Sequence, residues 1–333
     1  MAVKIAALMV VVNMEDWVWW ALKSVYPSVD YIIITEGVAR DKWEDFSLFT
    51  EEGLSSDNTP DEIRRFIEEE DTENKVLWER VGFQKSISYL RDLNLQRCPQ
   101  DTNYCLVLDA DHIYDYEQID RMRSLCEEFP GIRAIYMDQL LFFWDMGHVL
   151  EIGEEFLKPY GHHLSNFFYK WIPELRYNRD ATFVDNQLLP AEWTHPKSEV
   201  RPDELKTLSY DVAVYPPQFR CYHMGWVGKE KTIEAHLLKT IWSRTLRMKW
   251  LLKNDPGKIT EGARQTWMPF VNASREDILG YQKMYHKIWT GVFDDSVRER
   301  LVQYKWPSHL EALLREHPFW GKSKEWFGFE ETI

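Results

Sequence analysis

The sequence predicts an α/β protein with a mostly parallel sheet that is flanked by helices. The first observation is the alternation, over roughly the first 140 residues, of short apolar runs with segments whose apolar residues have helical spacing. Such alternation favours parallel strands, because each helix returns the chain to the same end of the sheet. The second is Tyr104–Leu108, an apolar run without polar alternation, which is typical of a strand buried on both faces. At 333 residues the chain can form one large domain, or one domain with an appendage.

The first elements follow from local patterns. Val3–Val12 is rich in strand-forming residues and is predicted as the first strand. A helix is expected over Glu15–Val25, and it stops before Pro27 because proline disfavours continuation. Tyr31–Thr35 is predicted as a second buried strand. The polar, acidic stretch Gly37–Ser55 has no period and is expected to be a loop.

A second helix, a strand and a third helix lead to the centre of the predicted sheet. Thr59-Pro60-Asp61-Glu62 predicts a helix start, with threonine as the cap and proline in the first position. Lys75–Trp78 is a short strand. Apolar positions from Phe83 to Leu93 predict the next helix, which leads into the strand at Tyr104.

Beyond this strand the pattern becomes mixed. A helix over Glu117–Phe129 and a strand over Arg133–Met137 still have clear periods. Asp138–Pro217 is rich in aromatic residues and predicts mixed strands and loops, whereas Glu230–Lys253 is the longest helical stretch. We therefore expect a first domain over residues 1–225 and a helical, tryptophan-rich C-terminal extension over residues 226–333.

Charge and cysteine content limit the classes of function. The formal net charge of −14 argues against a general nucleic-acid binder. The four cysteines have no Cys-x-x-Cys spacing, which indicates neither a zinc knuckle nor a disulfide framework and favours a reducing, cytoplasmic compartment. The apolar run Ile5–Val12 is interrupted by Asn13, Glu15 and Asp16, so no signal peptide or membrane helix is expected.

Two carboxylates directly follow the buried strand. Asp109 and Asp111 are two residues apart, and in an extended chain such side chains point the same way. Two like charges in one pocket are unfavourable unless a cation or hydrogen-bond donors neutralise them. Their oxygens suit Mg²⁺ or Mn²⁺, and His223 is a further candidate ligand because neutral imidazole binds Mn²⁺-type ions. The alternatives are a solvated turn for the aspartates and a structural role for the histidine.

Four short motifs occur in order along the first part of the chain. They are Asn13-Met14-Glu15, the strand Val29–Ile34 that leads to Glu36-Gly37, Ser55–Pro60, and Leu108-Asp109-Ala110-Asp111. Together they resemble the family 2 glycosyltransferases, which have the Rossmann-like GT-A fold. The resemblance covers roughly the first 140 residues, and beyond them only His223-Met224-Gly225-Trp226 is similar. Two departures are an insertion of about 18 residues after the second strand, and His112 where the family often has glutamate.

The resemblance implies a metal-dependent glycosyltransferase. Its donor would be a nucleoside-diphosphate sugar, with a UDP-sugar favoured, and its cofactor Mn²⁺ or Mg²⁺. Asp109 is then expected at the ribose and the metal, with Asp111 and His223 as further metal ligands. The remaining donor contacts would come from Asn13 and Glu36 at the base or ribose and from Lys85 at the diphosphate. The mixed region Asp138–Pro217 would build the acceptor pocket.

The family places its catalytic base, a carboxylate that takes the acceptor's proton in an inverting reaction, after the metal motif. Residues that qualify by position are Glu174, Asp180, Asp185 and Glu192. We choose Asp185, which follows the strand-like Thr182-Phe183-Val184. A retaining enzyme needs no such base, so the stereochemistry stays open. The acceptor also stays open between a glycan, a lipid-linked sugar, a protein and a modified nucleic acid.

The stretch Lys229–Arg264 is basic, with nine basic and four acidic residues. We expect Lys229 and Lys231 to close over the diphosphate. Basic residues further along, among them Arg244, Arg247 and Lys249, are expected to face an acidic acceptor. The alternative is a solvated basic face that balances an acidic protein.

Two other classes of function compete with glycosyl transfer. A nucleotidyltransferase should have a glycine-rich basic loop after the first strand, where this chain has the acidic, glycine-free Asn13–Asp16. A non-catalytic carbohydrate-binding protein would not need the aspartate pair and the late histidine. Metal-dependent hydrolysis of a nucleotide sugar would exclude it.

Overall fold

The structure of the protein is a computed structural model. It describes residues 2–43, 45–143, 145–150, 164–173, 175–178, 182–183, 212–214, 219–259, 264, 268–274, 277 and 301–322. Within these residues the strands are β1 Ile5–Val11, β2 Tyr31–Glu36, β3 Val76–Arg80, β4 Tyr104–Val107, β5 His112–Tyr114, β6 Ile132–Phe143, β7 His148–Leu150, β8 Leu164–Lys170, β9 Tyr177–Asn178, β10 Thr182–Phe183, β11 Val212–Val214, β12 Arg220–Trp226 and β13 Leu301–Gln303. The helices are α1 Val18–Val25, α2 Thr59–Glu69, α3 Ile87–Arg97, α4 Tyr116–Glu128, α5 Glu230–Asn254 and α6 Ser308–Leu314.

The sheet has the order β13-β7-β6-β8-β4-β1-β2-β3, and β11, β12 and β5 join it beside β6. Strands β4, β1, β2 and β3 are parallel. Strand β8 is antiparallel to both of its neighbours, so β6 runs in the same direction as β4. β11 and β12 are parallel to β6, whereas β5 pairs antiparallel with β12. The predicted α/β fold, with a mostly parallel sheet and flanking helices, is confirmed.

The register of the central strands brings three chain segments to one edge. Val11 of β1 lies beside Glu36 of β2, and Leu8 of β1 lies beside Val107 of β4. The segments that follow these strands therefore start from the same carboxyl edge. Because β1, β2 and β4 are almost wholly buried, the apolar runs that predict them also explain why they lie at the sheet centre.

Helix starts differ from the predictions by a few residues. Asn58, not Thr59, occupies the cap position of α2, and the Thr59 hydroxyl instead accepts a hydrogen bond from the Met14 amide at 2.6 Å. The third helix begins after Ser86, whose hydroxyl accepts from the Tyr89 amide at 3.2 Å, so Phe83 lies outside it. For the third helix, the side-chain hydrogen bond of Ser86 caps the first turn and marks its beginning.

The stretch between β2 and α2 is not simply a polar loop. Its apolar side chains Val38, Trp43 and Phe49 are buried against α5. Trp43 lies 4.9 Å from Phe49 and 6.0 Å from Trp242 of α5, measured between ring centroids. The prediction of a polar loop fits the charged residues of this stretch but misses a second small core, because these apolar residues are spaced without a period.

A third core joins the C-terminal part to the sheet. Trp306 stacks on Phe142 of β6 with 4.6 Å between ring centroids, and His317 stacks on Trp17 at 4.1 Å. Leu310 and Leu314 of α6 are buried in the same cluster. The boundary between residues 225 and 226 stays a prediction. Among the described helices, none combines the length and the apolar character needed to cross a membrane.

Candidate active site

A cavity of about 310 Å³ opens at the carboxyl edge of β1, β2 and β4. Its wall includes the segment from Val10 to Met14, Gly37 and the segment from Asp109 to His112. Helices α3 and α5 and strands β6 and β12 complete it with Arg91, Lys239, Gln139 and His223. Open α/β sheets bind their ligands in such crevices outside the carboxyl ends of strands. We therefore take this cavity as the candidate active site.

Asp109 is held by an arginine that the sequence analysis does not single out. The Arg91 guanidinium, on α3, donates to Asp109 Oδ1 at 3.0 Å. Burial acts to raise the pKa of Asp109, but the electrostatic attraction of nearby groups, chiefly the Arg91 guanidinium, outweighs it and lowers the pKa. Asp109 is thus an ionised carboxylate with one oxygen bound by Arg91.

Asp111, His112 and His223 converge within the cavity. Strand β12 pairs with β5 so that His223 lies directly opposite His112, and their rings are 5.2 Å apart. His223 Nε2 lies 3.4 Å from Asp111 Oδ2, and His112 Nε2 lies 4.0 Å from Asp111 Oδ1. One ligand atom from each of the three residues lies within 4.8 Å of the other two.

This donor set fits a divalent metal ion. A carboxylate and two imidazoles are common metal ligands, and an imidazole binds through the lone pair of its neutral form. Burial lowers the pKa of His112 to about 4, so its ring is neutral near pH 7. The Met224 amide donates to the Asp111 carbonyl at 2.8 Å, which ties the Asp111 backbone to β12. The three residues that could hold the ion are therefore fixed by one backbone framework.

The structure brings Asp111 and His223 together and adds His112 to them. The role of Asp109 as a ligand stays a prediction, and its Oδ2 lies 4.0 Å from His112 Nε2. Asp109 is bound to Arg91 and lies outside the three-residue group, whereas His112 lies inside it. In sequence, His112 is only a departure from the family's usual glutamate. The pairing of β5 with β12 places His112 beside His223, and local sequence patterns do not contain that information.

Asn13 borders the cavity, but its side-chain amide is used within the protein. Its Nδ2 donates to the Leu48 carbonyl at 2.8 Å, and its Oδ1 accepts from the Ser56 amide at 2.8 Å. Its φ of 50° belongs to the left-handed region, which asparagine tolerates better than most residues. The main-chain amide of Asn13 donates to the Ser55 hydroxyl at 3.1 Å, so these hydrogen bonds hold the inserted stretch against the end of β1.

Glu36 and Lys85 are not among the residues that line the cavity. Glu36 is fully buried, and its two oxygens accept from the Ser55 amide and the Arg80 guanidinium, each at 2.9 Å. It links the end of β2 to the inserted stretch. Lys85 is exposed just before α3, with its ammonium 4.8 Å from the centre of the Tyr89 ring. Both placements favour structural or surface roles.

The turn Ser55-Ser56-Asp57 also joins elements. Asp57 accepts hydrogen bonds from the Thr59 amide at 3.0 Å and from the Glu15 amide at 3.2 Å. Burial raises the pKa of Asp57. These contacts connect the chain before α1 to the start of α2, on which Thr59 lies.

The long helix α5 contributes a different lysine from those expected. The Lys229 ammonium lies 2.6 Å from Glu15 Oε1 and 3.4 Å from Asp16 Oδ1, so it anchors the start of α5 and does not line the cavity. Lys239 lines the cavity instead, and its charge contributes to the lowered pKa of Asp109. The side chains of Lys231 and Arg244 lie outside what the structure describes.

The predicted catalytic base also lies outside the described residues. Asp185 and the other carboxylates that qualify by position, Glu174, Asp180 and Glu192, are not described. The strand expected just before Asp185 is present as β10, which pairs antiparallel with β9.

The chain is similar to several solved structures, all at low identity. S. aureus TarS 1–349 in complex with UDP-GlcNAc has 12% identity and a TM-score of 0.36, over 93% of this chain and 83% of that one. The mannosyltransferase PcManGT from Pyrobaculum calidifontis, in complex with GDP-Man and Mn²⁺, has 11% identity and a TM-score of 0.39, over 95% and 81%. A 4-diphosphocytidyl-2C-methyl-D-erythritol synthase from Anaerococcus prevotii has 12% identity and a TM-score of 0.30, over 72% and 96%.

No protein-family model matches the sequence, and no curated protein does either. TM-scores of 0.30 to 0.39 are too low to transfer a substrate or a residue's role. The functional assignment must therefore come from the cavity itself.

Proposed function

We propose that the protein is a metal-dependent glycosyltransferase that moves a sugar from a nucleoside-diphosphate sugar to an acceptor. One observation supports this proposal most. A single cavity at the carboxyl edge of the parallel sheet contains both possible metal ligands and cationic side chains. The possible ligands are Asp111, His112 and His223, and the cations are Lys42, Arg91 and Lys239. The motif order in the sequence supports the same class of enzyme.

The charges of the cavity suit a diphosphate. Among the described lining residues, three cationic side chains stand against the two carboxylates Asp109 and Asp111, so the formal charges of these five side chains sum to a positive value before any ion binds. A divalent ion held by Asp111, His112 and His223 would offset the negative charge that the diphosphate gains as the glycosidic bond breaks. Lys239 and Arg91 would bind the same phosphates directly, because a buried or partly buried cation attracts an anion more strongly than an exposed one.

The ribose, the base and the acceptor would contact other residues of the protein. Arg91 binds Asp109 Oδ1, which leaves Oδ2 as the oxygen for a ribose hydroxyl. The main-chain carbonyl of Asn13 would contact the base, since its amide already donates to Ser55. A uracil is favoured as the base. In a direct inversion the acceptor oxygen attacks the anomeric carbon, the bond to the diphosphate breaks, and Asp185 takes the acceptor's proton. The acceptor would be a glycan, a protein or a modified nucleic acid in the cytoplasm.

Thermal unfolding in the presence of UDP, GDP, CDP and their sugar conjugates, with and without Mn²⁺, tests this function. A ligand that binds only the folded chain at a hundred times its Kd stabilises it by about 2.7 kcal/mol. We expect a rise in Tm with one nucleoside diphosphate and its sugar, and a larger rise with Mn²⁺ present. Slow metal-dependent release of that diphosphate from the sugar conjugate should follow. Release of pyrophosphate from a nucleoside triphosphate would instead identify a nucleotidyltransferase, and no response to any nucleotide would contradict both.

A further inference from the structure

The metal-binding group contains more nitrogen than a magnesium site would. Two of its three donors are imidazoles, and the only carboxylate is that of Asp111. The second carboxylate of the motif, Asp109, has one oxygen bound by the buried Arg91 at 3.0 Å. Its other oxygen, Oδ2, lies 4.0 Å from His112 Nε2. The ion would thus meet two imidazole nitrogens besides its carboxylate oxygens.

We propose that His112 is a metal ligand, and that with His223 and Asp111 it makes the site selective for a first-row transition ion such as Mn²⁺, Co²⁺ or Zn²⁺ over Mg²⁺. The inference names the ion and ligands of the site on which the proposed function rests. Mg²⁺ is a hard ion that prefers oxygen ligands and gives up its waters reluctantly, whereas imidazole suits transition ions.

The backbone fixes the two imidazoles beside each other. Cys221, Tyr222 and His223 of β12 pair in continuous register with Tyr114, Ile113 and His112 of β5. Directly opposed residues of antiparallel strands have their side chains on the same face of the sheet. The side chains of the two histidines therefore project from the same face of the sheet.

The side chain of Gln139 favours the tautomer of His112 that has its lone pair on Nε2. Gln139 Nε2, on β6, lies 3.3 Å from His112 Nε2, the ring nitrogen that also lies nearest Asp111. An amide nitrogen only donates, so this ring nitrogen is the acceptor, with its lone pair toward the cavity. A metal ion needs that same lone pair, and it would take the place of the Gln139 amide.

Metal binding without nucleotide tests the ligand set. The purified chain is loaded with Mn²⁺, and pulsed electron paramagnetic resonance counts the coupled imidazole nitrogens. Titration of Mn²⁺, Co²⁺ and Mg²⁺ gives their affinities. We expect two coupled imidazoles and at least about a hundred-fold preference for Co²⁺ over Mg²⁺, in line with the ordering of nitrogen-rich sites. His112→Gln should leave one coupled imidazole and lower the Co²⁺ preference about ten-fold or more.

His148→Gln is the matched control. His148 is a histidine beside a carboxylate elsewhere in the fold, with Nδ1 2.9 Å from Asp145 Oδ2, and neither residue lines the cavity of the candidate active site. Its replacement should change neither the nitrogen count nor the affinities. If His112→Gln fails to fold, the nitrogen count of the parent chain still decides the question.

One coupled imidazole in the parent, or equal affinities for Mg²⁺ and Co²⁺, would overturn the proposal. These results are independent of turnover. A chain with two coupled imidazoles that binds no nucleotide would keep this inference and refute the proposed function. A chain that transfers sugar but has a single coupled imidazole would support the proposed function and refute this inference.

Discussion

At the scale of single residues, neighbouring side chains of the Asp109–His112 segment take different partners. Asp109 turns to Arg91 on α3, whereas His112 and Asp111 turn to His223 on β12. A two-residue spacing predicts which side chains point the same way. The role of each side chain depends on the residues of other elements that contact it. The cavity consequently has a group of possible metal ligands and, beside it, an arginine-bound carboxylate.

Asp111→Asn should abolish most of the Mn²⁺-dependent stabilisation by a nucleoside diphosphate. The change removes the only carboxylate of the metal group while keeping its shape, so the chain should still fold. The measurement is the rise in Tm with UDP at saturating Mn²⁺. Asp145→Asn, in the pair with His148, is the control and should respond like the parent. Equal Mn²⁺-dependent rises in Asp111→Asn and the parent would remove Asp111 from the metal site.

Lys239→Met should weaken binding of the nucleoside diphosphate by about ten-fold, since a hydrogen bond to a charged group is worth roughly 1.5–3 kcal/mol. Lys239 lines the cavity, and the substitution keeps much of the apolar stem. Binding of the parent nucleoside without phosphates should be unchanged. Calorimetric titration measures both.

Lys253→Met, on the exposed end of the same helix, is the control for Lys239→Met and should bind the diphosphate normally. A Lys239→Met chain with parental affinity would contradict the assignment of Lys239 to the phosphates. Loss of diphosphate binding in Lys229→Met, with normal binding in Lys239→Met, would instead indicate that Lys229 contacts the diphosphate.

At the scale of elements, the stretch between β2 and α2 acts as a wall of the cavity. Lys42 and Trp43 lie in that wall, and Trp43 is held by Phe49 and by Trp242 of α5. Glu36 anchors the far end of the stretch through Ser55. Packing of this stretch and of α5 therefore shapes the cavity from the side opposite the sheet.

Trp43→Ala should destabilise the fold by about 3 kcal/mol or more, as expected for a buried tryptophan. It should also weaken nucleotide binding, because the cavity wall loses a side chain. Chemical denaturation gives the first quantity and titration the second. Trp250→Ala on α5 is the control, since Trp250 is 60% exposed and should change stability by less than about 0.5 kcal/mol. Parental stability in Trp43→Ala would mean that this small core contributes little.

At the scale of the whole molecule, the C-terminal part is tied to the start of the chain by a neutral histidine. His317 Nε2 donates to the Asp16 carbonyl at 3.0 Å, and its Nδ1 accepts from the Phe319 amide at 3.1 Å. A second proton on the ring would face the Phe319 amide and break that hydrogen bond. Burial lowers the pKa of His317 from 6.5 to about 4.

The lowered pKa of His317 predicts a loss of stability in acid. Between pH 6.5 and about 4 the unfolded chain binds a proton that the folded chain does not. The contribution of the neutral ring is therefore complete above pH 6.5 and falls by up to about 1.4 kcal/mol per pH unit below it. Denaturation of the metal-free chain from pH 7 to 4.5 measures this loss. His317→Gln should show a smaller loss over the same range, and His148→Gln the parental loss. An unchanged slope in His317→Gln would contradict the prediction.

The sequence by itself determined the order and type of most elements up to β6. The composition of apolar runs such as Ile5–Val11 and Tyr104–Val107 predicts that these strands are buried. Helical spacing likewise depends only on residues three and four apart. The placement of Asp111 and His223 at one site also agrees with the sequence. Those features depend on neighbours in the chain or on motifs that occur in a fixed order.

Only the tertiary structure decided the membership of the site. His112 lies beside His223 because β12 pairs with β5, and one oxygen of Asp109 is bound because α3 brings Arg91 within 3.0 Å. Lys239 replaces Lys229 at the cavity because Glu15 and Asp16, far away in the chain, bind Lys229. Each of these outcomes depends on contacts between distant segments, whose energies no local pattern contains.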